Sequence, residues 1–240
     1  MIHRIILTAT LLLGIFSGAQ AQLTATVQSI KGDVLVRRGL DENWQQAKTG
    51  IVLREIDSIL SGKDGIVVLK LSSGVVFELG SRSELDISDL RNISERDMFL
   101  WMMSNKIKTL DSKSEKQPLR IGNVSVVHGE SKAPHTSDVT EQSENEPEFE
   151  INGARALYNH KLYPNSIIKL HRILSTYSSV NDCGEIHYLL GKSFSALNKN
   201  GQAVDEFQAA ILKQQEQKCD RPSWLNDARE SMNRLQAEMQ

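Results

Sequence analysis

The spacing of apolar residues changes near residue 150, so the chain combines two kinds of structure. Before that point, β-branched and other apolar residues form short runs such as Val34–Val36 and Ile66–Leu71, with Gly or Ser between the runs. Runs of this kind predict short strands joined by turns. After that point, apolar residues recur at steps of three and four, which predicts amphipathic helices. We predict a multidomain fold, all-β first and all-α second.

Between the two parts, residues 131–149 contain few hydrophobic residues and carry Pro134, Pro147 and several acidic side chains. A segment with so little apolar surface cannot offset the conformational entropy that is lost when it becomes ordered. We therefore predict a disordered acidic linker at residues 131–149. It separates a β domain at residues 22–130 from a helical domain at residues 150–240.

The first 21 residues have the pattern of a secretory signal peptide. His3 and Arg4 precede an apolar run from Ile5 to Phe16, and Ala19–Ala21 supplies small residues for cleavage. The run is shorter than the roughly 20 residues that span a bilayer, although an uncleaved anchor helix is the alternative. No Cys lies beside the predicted cleavage site, which disfavours a lipid anchor. We expect an exported protein, periplasmic or at the cell surface, with no membrane span in the processed chain.

The net charge limits the classes of partner that the protein can bind, and the two cysteines can be interpreted from the expected compartment. The formal net charge is −2 and there is no large basic block, which argues against nucleic acid because its binding rests on neutralising phosphates. In an oxidising compartment we expect the two cysteines, Cys183 and Cys219, to form a disulfide. The closed loop of about 35 residues would contribute roughly 3–4 kcal/mol on the chain-entropy model. Two free thiols or a pair of intermolecular disulfides are the alternatives.

Motifs for catalysis and metal binding are largely absent from the sequence. The histidines after residue 21 form no HxH or HExxH pair, so we predict no metal site. Ser166 and Lys169 match the S-x-x-K string of serine acyltransferases, but Ser166 takes a small-residue packing position in a predicted helix. Nucleophile elbows and phosphate-binding glycine loops do not occur. We predict a protein without enzymatic activity or cofactor; an envelope enzyme with an unrecognised site is the alternative.

Two segments of the helical part align with each other at an offset of 37 residues. The matched residues are Ala154, Leu157, Ser166, Leu170 and Ile173 with Gly191, Phe194, Ala203, Phe207 and Ala210. A fixed period of this kind is typical of helical repeats. The second segment resembles the tetratricopeptide repeat, in which small residues let two helices approach and aromatic residues fill the space between units. The resemblance implies a short tetratricopeptide-like array, closed by a capping helix that begins near Trp224.

In tetratricopeptide arrays, exposed positions on the first helix of each unit line a concave groove. Carried onto this chain, those positions are Arg155, Tyr158, Asn159, Glu185, Tyr188, Lys192 and Ser195. Arg155 and Lys192 occupy the same repeat position, which places two cations beside two tyrosines. Such a surface suits an acidic or C-terminal peptide segment, held by charge-assisted hydrogen bonds and aromatic contact. A second hypothesis places the chain's own acidic residues 138–150 across the groove, and a third treats these residues as ordinary solvated side chains.

The β part resembles the FecR domain, which is the extracytoplasmic part of iron-transport signalling regulators. The residues that carry the resemblance are Val27, Ile30, Gly32, Val34, Gly50, Asp57 to Leu60, the pattern from Gly65 to Gly74, Phe77, Leu79, Ser83, Leu85, Pro118 to Ile121 and Val126 to Gly129. The resemblance implies a compact β-sandwich or a short β-solenoid. Those regulators carry a cytoplasmic segment and a membrane helix ahead of the domain, whereas a predicted signal peptide precedes it here. We therefore do not carry over the transmembrane anti-sigma role.

Together, these features predict a non-enzymatic adaptor or scaffold in the periplasm or at the cell surface. The FecR-like domain would contact an envelope component or another protein, and the helical groove would bind a protein or peptide partner. An accessory sensor in FecR-type cell-surface signalling, with a separate membrane protein supplying the cytoplasmic output, is the alternative from the signalling class.

Overall fold

The computed structural model describes residues 22–41, 43–114, 146–177 and 179–240. The predicted signal peptide, the FecR-like closing segment at residues 118–129 and residues 131–145 of the predicted linker lie outside the described residues. Within the described part, the chain forms β structure first and helical structure second, as the change in apolar spacing predicts.

Eight strands form two antiparallel sheets of four strands each. The strands are β1 (Thr24–Lys31), β2 (Val34–Arg37), β3 (Gln45–Gln46), β4 (Val52–Arg54), β5 (Ser58–Ser61), β6 (Ile66–Leu71), β7 (Val76–Leu79) and β8 (Ser83–Asp86). One sheet has the order β4-β1-β6-β7 and the other the order β3-β2-β5-β8. Alternate residues point inward, so Val27, Val36, Leu69, Phe77 and Leu85 meet in one shared apolar core.

After β8 the chain turns helical, which differs from the all-β prediction for residues 22–130. A single 3-10 turn (Ile87–Leu90) leads to helix α1 (Glu95–Ser114). The signal for α1 is a capping box, in which Ser94 Oγ accepts from the Asp97 N–H at 3.2 Å and the Asp97 carboxylate accepts from the Ser94 N–H at 3.2 Å. Met98 of α1 is buried with the other helices, so α1 belongs to the helical layer.

Five further helices follow, and neighbours along the chain pack against each other. They are α2 (Glu146–Asn159), α3 (Tyr163–Thr176), α4 (Glu185–Ala196), α5 (Asn200–Glu216) and α6 (Leu225–Glu238). α4 and α5 approach closely at Gly191, where an added Cβ would lie 2.7 Å from the Phe207 ring. The repeat pattern, with a small residue at Gly191, predicts this close contact between the two helices. α2 begins four residues before residue 150, the predicted start of the helical domain, so residues 146–149 are helical and not linker as predicted. Pro147 occupies the first turn of this helix, where proline is tolerated.

The sheets and the helices pack directly against each other, a contact that the sequence did not predict. Helix α2 lies along β8, and its Leu157 side chain enters the core between the sheets. The His160 ring stacks on Phe77 with 4.3 Å between ring centroids. At Gly153 the backbone of α2 comes so close to β8 that an added Cβ would overlap the carbonyl oxygen of Glu84. Glycine is therefore required at this position of the helix by close approach.

We expect Gly153→Ala to lower the free energy of unfolding by about 2–3 kcal/mol, since the new methyl group must push α2 away from β8. Gly201→Ala in α5 is the matched control, because an added Cβ there has no atom within 4 Å. That change should leave stability equal or raise it by up to about 1 kcal/mol. Urea unfolding measures both variants, and equal midpoints would contradict the close packing of α2 on β8.

Candidate functional site

Three adjoining cavities of about 490, 760 and 370 Å³ lie along one face of the helical layer. The first lies between the β7–β8 turn and α2, the second between α2 and the loops that precede α4 and α6, and the third among α2, α4 and α6. Arg155 lines all three. We call this continuous surface the groove. The volume of each of the three cavities falls in the range of ligand-binding clefts.

The third cavity brings together six of the seven residues that the sequence predicts for a groove. They are Arg155, Tyr158, Asn159, Glu185, Tyr188 and Lys192. Ser195, the seventh, is partly buried in the last turn of α4 and does not line this cavity. Arg155 of α2 and Lys192 of α4, which the offset of 37 residues relates to each other, thus lie on one surface.

Sequence reasoning missed two parts of the groove. Trp224 and Asp227 of the last helical segment line the third cavity, although they were predicted only as part of a capping helix. Arg82 and Ser83 of the β7–β8 region line the first cavity, together with His160 at the end of α2. Apolar residues recur at steps of three and four in α6, and this spacing could have indicated which of its residues face the groove. No local sequence signal indicates that Arg82 and Ser83 of the β7–β8 region line it.

The two predicted cations of the groove are paired with carboxylates of the protein itself. Arg155 forms an ion pair with Glu185 and also donates to the Asn152 side chain. Lys192 Nζ lies 3.0 Å from Asp227 Oδ2. Both predicted cations therefore already have a carboxylate partner. Pairs that are partly exposed, like these, contribute at most about 1 kcal/mol each, so they order the surface more than they stabilise it.

Aromatic side chains form the wall of the third cavity, one from each of the three helical segments that line it. Tyr158 comes from α2, Tyr188 from α4 and Trp224 from the start of α6. The Tyr188 and Trp224 rings are stacked, with 5.1 Å between centroids and 19° between planes. The Tyr188 hydroxyl donates to Asp227 Oδ2 at 2.7 Å. Burial, followed by this hydrogen bond, raises the pKa of the Tyr188 phenol well above its ordinary value.

A disulfide fixes the loops from which α4 and α6 begin. Cys183 and Cys219, the pair expected from the sequence, form this bond with their Cα atoms 5.9 Å apart. Gly184 follows with φ +87°, and an added Cβ would overlap the carbonyl oxygen of Ala210. Asp182, two residues before the N-cap Gly184, accepts from the Ile186 N–H in the first turn of α4 at 2.8 Å. These constraints set the start of α4 and thereby the position of its groove residues.

Behind the groove, a buried network of charges joins the helices to the β part. The Lys169 side chain of α3 is 2% exposed, and its Nζ lies 3.2 Å from Asp89 Oδ2 and 3.5 Å from Glu150 Oε2. Arg172 Nη2 binds the other oxygen of Asp89 at 2.5 Å. Burial lowers the pKa of Lys169, but the two carboxylates outweigh this effect and hold it above its ordinary value.

The S-x-x-K string takes part in packing at this interface. Ser166 is fully buried, and its Oγ donates to the carbonyl oxygen of Ala154 at 3.0 Å. Lys169 binds the carboxylates of the network described above. The two side chains thus have separate structural partners, in line with the packing interpretation of this string.

Glu84 of β8 lies at the edge of the charge network. Burial raises the pKa of its carboxyl to about 7, although Lys169 partly opposes this effect. A carboxyl whose pKa is raised in the folded state contributes stability below its ordinary pKa of 4.5, and that contribution is lost as the pH rises through about 7.

We therefore expect Glu84→Gln to stabilise the protein relative to wild type at pH 8 but not at pH 4.5. The free energy of unfolding of the variant minus that of wild type should rise by up to about 3 kcal/mol between pH 4.5 and pH 8. Burial lowers the pKa of His171, which therefore gives stability the opposite pH dependence. This contribution cancels in the comparison because His171 is present in both proteins. Urea unfolding at several pH values measures the effect, and a difference independent of pH would contradict it.

A separate apolar cavity of about 550 Å³ lies between α1 and the region where α4 meets α5. Its lining includes Met98, Met102 and Phe194, and an ion pair between Glu95 and Lys199 at 3.0 Å closes one side. This cavity shares no lining residue with the groove. It therefore provides a reference surface for binding experiments.

The described residues lack two features of other functional classes. No group of three or more His, Cys, Asp or Glu side chains there could hold a metal ion. No helix in the same part of the chain is long and apolar enough to cross a membrane.

Comparison with known proteins finds no relative. No family model matches the chain, no curated protein matches it, and no solved structure matches it.

Proposed function

We propose that this protein is a non-enzymatic adaptor of the periplasm or cell surface, and that its groove binds an extended segment of a protein partner. The observation that carries the proposal is the row of three adjoining cavities centred on Arg155. An elongated surface of this kind, with aromatic walls and a few polar groups, suits a peptide better than a compact metabolite.

The β part supports this function by forming one end of the groove. The turn between β7 and β8 contributes Gly80 to Ser83 to the first cavity, opposite Asn152 and Asn159 of α2. The buried Lys169 network and the close approach at Gly153 hold the two parts together. A bound segment would therefore contact both the FecR-like part and the tetratricopeptide-like part.

Export and location are part of the proposal. The signal-peptide pattern of residues 1–21 and the disulfide between Cys183 and Cys219 both support an oxidising compartment outside the cytoplasm. In that compartment the disulfide would stay intact and would hold the loops before α4 and α6 in place.

A displayed library of random peptides, selected on the chain beginning at Gln22, tests the proposed function. We expect the enriched peptides to bind wild type at least tenfold more tightly than a Tyr158→Ser/Trp224→Ser variant. Leu212→Ser is the control, because Leu212 is an exposed apolar residue of α5 outside the groove. Thermal melting checks that each variant is folded. Equal binding to the groove variant and to the control would contradict the proposal.

A further inference from the structure

The groove offers little free positive charge to a ligand. Each of its three cations faces a carboxylate of the protein itself. The pairs are Arg82 with Glu148 at 3.4 Å, Arg155 with Glu185, and Lys192 with Asp227 at 3.0 Å. Two further acids, Glu78 and Asp182, also line the groove. An acidic ligand would have to displace these internal partners and would meet an excess of negative charge, so the surface disfavours an acidic ligand.

The aromatic wall gives the third cavity a specific apolar character. Tyr158, Tyr188 and Trp224 come from three helical segments that lie next to one another around this cavity. The stacking of Tyr188 on Trp224 and the bond from Tyr188 to Asp227 hold these two rings in place. Rigid aromatic rings set side by side are the surface on which the rings of proline residues dock.

The same cavity also carries hydrogen-bond donors that are not used within the described part of the chain. The indole N–H of Trp224 and the carboxamide of Asn159 have no hydrogen-bond partner among the described residues, and both residues line the third cavity. A polyproline II helix has no internal hydrogen bonds, so its backbone carbonyl groups are free to accept from such donors.

From these three features, we infer that the groove binds an uncharged, proline-rich segment in the polyproline II conformation. This inference rests on the proposed function and specifies the class of segment that the groove takes. Aromatic rings contact the proline rings, the free donors bind the carbonyl groups, and the paired charges exclude acidic competitors.

Fluorescence polarisation with labelled decapeptides tests this inference on the full processed chain. The probes are a proline decamer, a glycine–serine decamer and a decamer of alternating glycine and glutamate. We expect the proline decamer to bind at least tenfold more tightly than the other two. Its affinity should change less than about twofold between roughly 50 and 500 mM NaCl, because no free charge contributes.

Two substitutions locate the binding surface. Trp224→Leu and Tyr158→Leu should each weaken proline-decamer binding at least tenfold while keeping apolar volume in the wall. Phe99→Leu is the matched control and should leave binding unchanged, since Phe99 is an exposed aromatic residue of α1 that lines the separate apolar cavity. Circular dichroism and thermal melting establish that the variants remain folded.

Different results distinguish failure of this inference from failure of the proposed function. If the acidic or the glycine–serine peptide binds more tightly and depends on Trp224, the inference is wrong while peptide binding by the groove stands. If the proline decamer does not bind, or binds the Trp224→Leu and Tyr158→Leu variants as tightly as wild type, the inference is also wrong. The proposed function itself fails only if the library selection yields no peptide that depends on the groove.

Discussion

Replacing Lys169 with Met should lower the free energy of unfolding by about 3–5 kcal/mol. The Lys169 residue is only 1% exposed, and its ammonium group lies between the carboxylates of Asp89 and Glu150. Met preserves the length and apolar stem of the side chain but removes the charge. The partly buried Glu150 carboxylate then loses its cation, while Asp89 keeps Arg172 as a partner. Urea or guanidinium unfolding at pH 7 measures the loss.

Lys199→Met is the matched control for this prediction. Lys199 forms an ion pair with Glu95 at 3.0 Å, but both side chains are about half exposed. We expect a change below about 1 kcal/mol. If the two substitutions had equal effects, the buried network would not be what joins α3 to the β part.

Replacing both cysteines with Ser should lower the free energy of unfolding by about 3–4 kcal/mol on the chain-entropy model. The disulfide joins residues 36 positions apart and ties the loop before α4 to the loop before α6. Its loss raises the conformational entropy of the unfolded chain. It also loosens the loops that position Glu185 and Trp224. We therefore expect both a lower melting temperature and weaker binding of the selected peptides.

Chemical reduction provides the control for the disulfide prediction. Adding a thiol reductant should lower the melting temperature of wild type to that of the Cys183→Ser/Cys219→Ser variant and leave the variant unchanged. Both proteins melting at the same temperature without reductant would show that the disulfide does not constrain the chain.

The sequence carried enough information for the broad order of the fold. Alternating runs such as Ile66–Leu71 predicted strands, and the alignment of Gly191 and Phe207 with the first segment predicted a close helix pair. The predicted β domain extends to residue 130 and therefore includes α1, which the sequence analysis did not predict. This helix starts at a capping box formed by Ser94 and Asp97. The sequence therefore contains a local signal for this helix.

The interface between the β part and the helices could not be predicted from local patterns. A lysine within an amphipathic helix ordinarily lies at the surface, yet Lys169 is buried because it meets Asp89, which lies 80 residues away in the sequence. The same holds for the groove. The repeat spacing placed Arg155 and Lys192 on one surface, but their pairing depends on how α4 and α6 lie in space. Long-range packing alone decides which charges remain free.

Amide hydrogen exchange of the chain beginning at Gln22, with and without the most enriched displayed peptide, locates the binding surface. If the groove binds extended segments, exchange should slow in α2, α4, the first turn of α6 and the β7–β8 turn. Exchange in α1 around the cavity lined by Met98 and Met102 should stay the same. Slower exchange at α1 with no change in α2 and α4 would contradict the assignment of the groove as the binding site.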